Sequence, residues 1–558
     1  MDSQNVAGRL TRMAADRPEA LAVVEPLGYG RDGHRRYRHV TFRGLDQDSD
    51  RIARGLQAMG VAPGTRLALL VRPGIDFFGL VFGLLKVGAV AIFVDPGMGL
   101  RGLLRALAQA RPEGFIAGGL VHAVRLGLRR RFPQSRFHVT LGRRWFWGGL
   151  TLDQLRGGPW TTPWHATTAA DDPAAIIFTS GSTGPAKGVL YRHENFAAQV
   201  DELRDFYGVR PGEIDLAGFP LFGLMNCAMG VTTVVPDMDP SRPARVDPAK
   251  IVEAIRDWQV TQAFGSPALW NRVGRYCAER GIQLPTVRRV LSAGAPVPPH
   301  VLWRMQQCIH PQGDVHTPYG ATEALPVASI SAREVLDETA ARTRQGAGVC
   351  VGRPFPGVAW KVIRVVEGPI RSAAQFEELP SGDPMAPIGE LIVRSPAVTR
   401  EYVCGAAANE MAKIPDPGGA WHRMGDVGYI DGRGQFWFCG RLAHRVLTPQ
   451  GPMYPVRCEA VFNEHPQVFR SALVGVGAAG RQRPVLVIEP VEGRMPRGGQ
   501  AAARFLAEIR ELGQRNPLTA AIQDFLFHPA FPVDVRHNVK ISREKLAVWA
   551  AARLAASR

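Results

Sequence analysis

The stretch that most narrows what this chain can fold into is Phe178-Thr179-Ser180-Gly181-Ser182-Thr183-Gly184-Pro185-Ala186-Lys187-Gly188. A short apolar run, Ala174 to Phe178, leads into it and reads as a buried strand. Hydroxyls and glycines then crowd together, and a single ammonium closes the segment. Glycine lets backbone N–H groups turn toward an anion, hydroxyls add donors, and Lys187 supplies a fixed positive charge. Such a strand and loop suit a polyphosphate. The segment is not a Walker A loop, because Lys187 is followed by Gly188 and not by Ser or Thr. Nor is it a nucleophile elbow, since G-x-S-x-G spacing is missing around Ser180 and Ser182. A Ser/Gly-rich surface turn would share the composition. It would not account for the strand before the loop, the lysine after it or the motifs downstream.

The surrounding pattern is that of α/β layers. Phe42 to Met59 carries apolar residues at helical spacing, and Leu67 to Val71 is a continuous apolar strand. A helix from about Gly74 to Val87 and a strand from Ala89 to Val94 repeat the scheme. Helices alternating with fully apolar strands indicate parallel sheets covered on both faces. The window Phe77 to Val94 approaches membrane-spanning length, but Lys86 and several glycines favour a buried helix running into a strand. Two later strands, Val260 to Phe264 and Val287 to Leu291, run into Gly265-Ser266 and Ala293-Gly294-Ala295-Pro296. Backbone at the carboxyl ends of strands is where open α/β sheets take ligands. From about residue 346 to 440 the texture turns to short strands with Gly/Pro turns, expected to form a small β-barrel. The polar, proline-containing stretch 367–387 reads as a surface loop.

At 558 residues the chain exceeds one core, so two or more domains are expected. The N-terminus lacks a basic and apolar leader, and seven scattered cysteines offer no C-x-x-C pair. A reducing cytoplasm is the expected compartment. The net charge of +17 comes from 60 arginines and only 7 lysines. Where basic positions are filled by arginine, a retained lysine marks a place for a compact point charge. Lys187 and Lys540 are two of the seven. The densest basic patch is 125–147, with Arg129-Arg130-Arg131, Arg143-Arg144 and Trp145-Phe146-Trp147. Basic residues beside aromatics suit a peripheral membrane contact, and equally a solvated connection. No nucleic-acid fold signature accompanies it, so no nucleic-acid partner is expected.

Tyr319-Gly320-Ala321-Thr322-Glu323 is the second informative motif. A tyrosine ring can stack on a purine, and the Thr322 hydroxyl can donate to a phosphate or carboxylate oxygen. Glu323 offers the hard oxygen that Mg²⁺ takes when it bridges phosphates. Taken alone the pentapeptide could be a turn with an exposed acid.

Together these motifs resemble, in order and across nearly the whole chain, those of the adenylate-forming superfamily. That superfamily includes acyl-CoA synthetases, luciferases and the adenylation domains of peptide synthetases. Within it, the chain looks most like the β-lactone synthetases of bacterial long-chain olefin pathways. The resemblance implies a large body, 1–440, and a small mobile α+β cap, 441–558, with ATP and Mg²⁺ as cofactors. Residues 179–184 and Lys187 would hold the phosphates, and Gly294, Ala295 and Pro296 would lie against adenine. Tyr319, Gly320, Ala321, Thr322 and Glu323 would follow, with Glu323 and Thr179 at the metal. Asp426, in Trp421-His422-Arg423-Met424-Gly425-Asp426, would bind the ribose hydroxyls, and Met424 stands where relatives carry Thr or Ser. Arg441 would reach ribose or phosphate. Lys540, in Asn538-Val539-Lys540-Ile541-Ser542-Arg543, would act with Lys187 and Thr322 on the reacting groups.

Phe219-Pro220-Leu221-Phe222-Gly223 resembles the motif beside the acyl pocket, to which Gly265 and Ser266 would also belong. Many relatives carry His at 223, so glycine there implies a wider pocket. In the hinge after Gly440-Arg441, the usual charged residue is replaced near Ala443-His444. Pro449 and Pro452 flank Gly451, stiffening a loop that relatives use when the cap rotates to admit coenzyme A. The implied reaction is ATP-dependent activation of a 2-alkyl-3-hydroxy acid as acyl-adenylate, then attack by its own β-hydroxyl to give a β-lactone. A long-chain fatty acyl-CoA ligase is the alternative. Other enzymes of the same pathway are the implied protein partners.

Overall fold

The structure is a computed structural model that describes residues 4–160, 164, 166–179, 186–382, 386–403, 405–533 and 541–556. Ser180, Gly181, Ser182, Thr183, Gly184 and Lys540 lie outside the described residues.

Two large sheets build the body. The first has eight strands in the order Glu401–Tyr402, Lys187–Arg192, Pro173–Thr179, Val90–Val94, Arg66–Leu70, Gly114–Gly118, Phe137–Leu141 and Leu150–Thr151. It is parallel from Pro173–Thr179 onward and antiparallel at the first two pairings. Its parallel strands are continuous apolar runs because helices cover both faces. The second has nine strands in the order Arg353–Pro354, Ala324–Ser331, Asp314–Ala321, Arg289–Ser292, Gln262–Gly265, Ile214–Ala217, Thr232–Val234, Leu21–Tyr29 and Arg35–Thr41.

The helix Ile75–Lys86 is buried at every position but Asp76. Lys86 is fully buried, with Nζ 2.7 Å from both Asp46 and Asp50 of the helix Phe42–Ala58. Two carboxylates offset the charge that an apolar helix could not otherwise carry inside a protein. Among the described residues no helix is long and apolar enough to cross a membrane.

The β-rich stretch after residue 346 forms a six-stranded antiparallel sheet whose longest strand is Trp421–Ile430. The stretch 367–387 is not simply a surface loop. Ile370 is buried with Ile363, Ile392, Ile414 and Trp421, and the Arg423 guanidinium donates to the carbonyls of Val366 and Gly368. Arg423 itself is neutralised by buried Glu390 at 2.6 Å.

Beyond residue 445 the chain makes its own small sheets. Val446–Thr448 and Gly451–Met453 pair as a hairpin. Val468–Val476, Arg483–Pro490 and Asp524–Phe527 form a three-stranded sheet. Helices Pro455–Phe462, Gly499–Gln514 and Arg543–Ala556 pack around it. Its apolar residues gather into two clusters, one including Phe462, Leu473, Ile488 and Phe505, the other Val474, Val487 and Leu546.

Candidate active site

Strands Pro173–Thr179 and Lys187–Arg192 form a hairpin in which Thr179 and Lys187 face each other at the mouth. The residues that the sequence marks for phosphate are bounded in the chain by this register pair. The base of this hairpin is tied to the second motif, because the Tyr191 hydroxyl donates to the Thr322 carbonyl at 2.5 Å. Thr322 and Glu323 form the tight link between strands Asp314–Ala321 and Ala324–Ser331, with Ala321 opposite Ala324. Gly320 is needed there, since a Cβ would sit 2.6 Å from the Ala324 carbonyl oxygen.

Glu323 is held at both ends. Its backbone carbonyl accepts from the Thr399 N–H at 2.9 Å and from the Thr399 hydroxyl at 3.0 Å. Its carboxylate Oε1 accepts from the Tyr402 hydroxyl at 2.8 Å. Lys187 Nζ lies 5.0 Å from the centre of the Tyr402 ring, and Lys413 Nζ lies 5.9 Å from it. Lys413 is buried and donates to the Thr399 carbonyl. Burial pushes its ammonium down to about 7, partly opposed by the Glu323 charge. His422, opposite Lys413 in the sheet, is held neutral first by burial and then by the positive charges of Lys413, Lys187 and Arg441.

Asp426, on the strand Trp421–Ile430, is buried between two partners. Tyr319 Oη donates to Oδ2 at 2.5 Å, and the Arg441 guanidinium lies 2.8 Å from Oδ1. Arg441 also donates to the Met424 carbonyl at 3.0 Å. Asp426 and Arg441 are register partners across adjacent strands. Tyr319, Ala321, Met424, Phe222 and Phe264 belong to one apolar cluster. The Phe222 and Phe264 rings stack at 4.3 Å, and Phe219 lies half exposed beside them, 6.2 Å from Phe264.

Gly265 pairs with Ser292, and the Ala293 N–H donates to the Gly265 carbonyl, so Gly265-Ser266 and Gly294-Ala295-Pro296 emerge side by side. Gly294 has a φ of +95°, a turn that other residues adopt with strain. Ser266 caps the helix Pro267–Arg280 by accepting from Leu269 N–H, which gives its hydroxyl a local structural duty. Gly223 does not widen a pocket: a Cβ there would lie 2.7 Å from the Phe78 ring and 2.9 Å from the Thr233 methyl. The missing side chain is filled by Phe78 from the buried helix. His193 is fully buried, accepts from the Val6 N–H, and is pushed by burial down to about 4, so it is a packing residue.

Val533 and Ile541 bridge each other at the two ends of the segment that carries Lys540. Just beyond it, Glu544 accepts from or pairs with His444 at 3.1 Å, and His444 feels the charge of Arg441. The helix Arg543–Ala556, which follows that segment, therefore begins beside His444. The structure brings together Thr179, Lys187, Thr322, Glu323, Tyr319, Asp426 and Arg441, and sets the glycine turns and aromatic stack beside them. Sequence reasoning missed Thr399, Tyr402 and Lys413. Only the scarcity of lysine could have drawn attention to Lys413.

A family model described as AMP-binding enzyme matches residues 10–403. An olefin beta-lactone synthetase of Xanthomonas campestris pv. campestris is 45% identical over 554 residues, spanning 98% of this chain and 97% of that protein. A protein of the same name from Stenotrophomonas maltophilia is 45% identical over 559 residues, spanning 99% and 98%. Among solved structures, ATP-bound MatB from Rhodopseudomonas palustris superposes with a TM-score of 0.74 at 22% identity, spanning 98% of this chain and all (100%) of that one. That last likeness is one of fold.

Proposed function

The chain belongs to the AMP-binding enzyme family, and on that premise we propose that it activates a long-chain 2-alkyl-3-hydroxy acid with ATP and closes it to a β-lactone. It is an AMP-forming enzyme of the ligase type. In the first half-reaction a carboxylate oxygen attacks the α-phosphorus, the bond to pyrophosphate breaks, and an acyl-adenylate forms. In the second, the β-hydroxyl oxygen attacks the acyl carbon, its proton is lost, and AMP leaves. Intramolecular attack needs no second acceptor and gains a high effective molarity.

The residues divide the work by chemistry. The loop from Thr179 to Lys187 binds the outer phosphates, where charge gathers in the transition state. Tyr319 lies against the purine, Asp426 accepts from the ribose hydroxyls, and Arg441 orients Asp426. Thr322 donates to the carboxylate or phosphate. Lys540, carried by the small unit after residue 440, contacts the carboxylate and the α-phosphate. The donor set fits Mg²⁺: one carboxylate and one hydroxyl, Glu323 and Thr179, with no cluster of three metal-binding side chains among the described residues. Such sites leave most of the coordination shell to phosphates and water. When bound, the ion neutralises charge on the phosphate oxygens.

The observation that carries the lactone reading is the 45% likeness to the two lactone synthetases over nearly the full chain. The hinge agrees with it, since Pro452 is fixed in a paired hairpin where a cap rotation admitting coenzyme A would need freedom. The test is purified protein with ATP, Mg²⁺ and a 2-alkyl-3-hydroxy acid, without coenzyme A. β-Lactone and AMP, identified by NMR, are expected. Acyl-CoA from a plain fatty acid, with no lactone from the hydroxy acid, would overturn the reading in favour of a long-chain acyl-CoA ligase.

The same reading places the protein in the cytoplasm, beside other enzymes of its pathway and against membrane lipid. Residues 114–152 contain seven arginines and no acid. Trp145 and Phe146 are 55% and 77% exposed there, with Leu120 at 75%. Trp147, by contrast, is buried and donates to Thr140 at 2.9 Å, so it anchors the exposed pair and does not face lipid.

A further inference from the structure

The reading of Glu323 as a metal carboxylate uses its oxygens but leaves open what aims them. A glutamate has three side-chain torsions, and an unrestrained carboxylate at a strand turn would sample many directions. Here the freedom is removed from one side by a single short segment. Thr399 takes the Glu323 backbone carbonyl with two donors, and Tyr402 takes one carboxylate oxygen. The segment is itself pinned. Tyr402 pairs with Val189 of the phosphate hairpin, and its backbone N–H donates to the Asn409 side chain at 2.7 Å. The Thr399 carbonyl is taken by Lys413, whose ammonium also lies 5.9 Å from the Tyr402 ring centre. Lys413 is only 8% exposed, in the short strand Lys413–Ile414, where Ile414 is fully buried.

Burying a lysine nitrogen costs stability unless it finds a partner, and here the Thr399 carbonyl supplies one. We propose that Tyr402 and Lys413 are positioning residues for the divalent metal: Tyr402 fixes the Glu323 carboxylate directly, and Lys413 fixes the 399–402 segment that carries the clamp. The inference rests on the metal role of Glu323. Outer partners of a metal carboxylate restrict its direction and strengthen it as a ligand, and their loss costs about 10- to 100-fold in metal affinity.

The test uses the full chain with a non-hydrolysable ATP analogue and Mn²⁺ as a spin probe, titrated by EPR. Tyr402→Phe removes one oxygen and keeps the ring, so it serves even if Lys413→Met fails to fold. Both variants should weaken Mn²⁺ binding to the nucleotide complex by about tenfold and show less than additive loss when combined, and Tyr402→Phe should leave metal-free nucleotide binding unchanged. Glu323→Gln is the control. If it weakens Mn²⁺ while Tyr402→Phe does not, the clamp is overturned and the metal reading stands. If Glu323→Gln also has no effect, both fall together.

Discussion

Lys540 and Lys187 keep an ammonium in a chain that otherwise favours guanidinium, and the distinction matters at a reacting phosphorus. An ammonium is a compact charge with three rotatable donors, able to follow an oxygen as it changes partner. Lys540→Ala is therefore expected to lower acid-dependent ATP–pyrophosphate exchange by about a hundredfold or more, with ATP binding retained in equilibrium titration. Undiminished exchange would remove Lys540 from the reaction. The residues that bear on this chemistry differ in how visible they are from sequence. Lys187, Glu323 and Asp426 sit in short local patterns whose spacing is itself informative. Tyr402, Thr399 and Lys413 do not. Tyr402 reaches Glu323 across 79 positions of chain, and its neighbours show no pattern that anticipates the contact. Gly223 is the converse case, where the local substitution is plain but the volume it frees is taken by Phe78, a residue of another helix.

Elements were the most legible level. Strands Pro173–Thr179, Val90–Val94 and Gln262–Gly265 announce themselves as short apolar runs, because a strand covered on both faces has no polar side to show. The anchoring of the stretch that begins at residue 367 was not legible, since it depends on Arg423 and Ile370 meeting partners from separate strands. Packing between elements gives a sharper test than their existence. Helix Pro220–Met229 approaches helix Ile75–Lys86 through Gly223, so Gly223→Ala should force Phe78 and Thr233 apart. Overpacking of this kind costs about 1–3 kcal/mol. Calorimetry should show a lower Tm with nucleotide affinity preserved. An unchanged Tm would mean that Phe78 has room to move, and that the pocket is wider than the packing shows.

For the molecule as a whole, charge and acidity are the accessible variables. Vesicles containing anionic lipid should retain the protein in sedimentation, while neutral vesicles should not, and added salt should release it. Trp145→Ala combined with Phe146→Ala should weaken retention while leaving lactone formation from a short-chain, soluble acid intact. Equal retention by both vesicle types would argue against the arginine face. Acid stability follows from His193, pushed to about 4 in the fold against 6.5 when free. Between those values the unfolded chain binds a proton that the folded chain refuses, so stability falls as pH drops from about 6.5 toward 4. The loss from this one group is about 3 kcal/mol at most. His193→Gln should therefore show a smaller drop in Tm between pH 7.5 and pH 5 than the parent chain. His138, also pushed to about 4 by burial, keeps part of the acid sensitivity in that variant. Finally, the carboxylate of Asp426 is a knot joining two strings, Tyr319 from a large sheet and Arg441 from the end of the strand Phe436–Arg441. On the proposed reading, a docking nucleoside would share oxygens already in use, so a pull at the sugar would be felt by Tyr319 and Arg441 together.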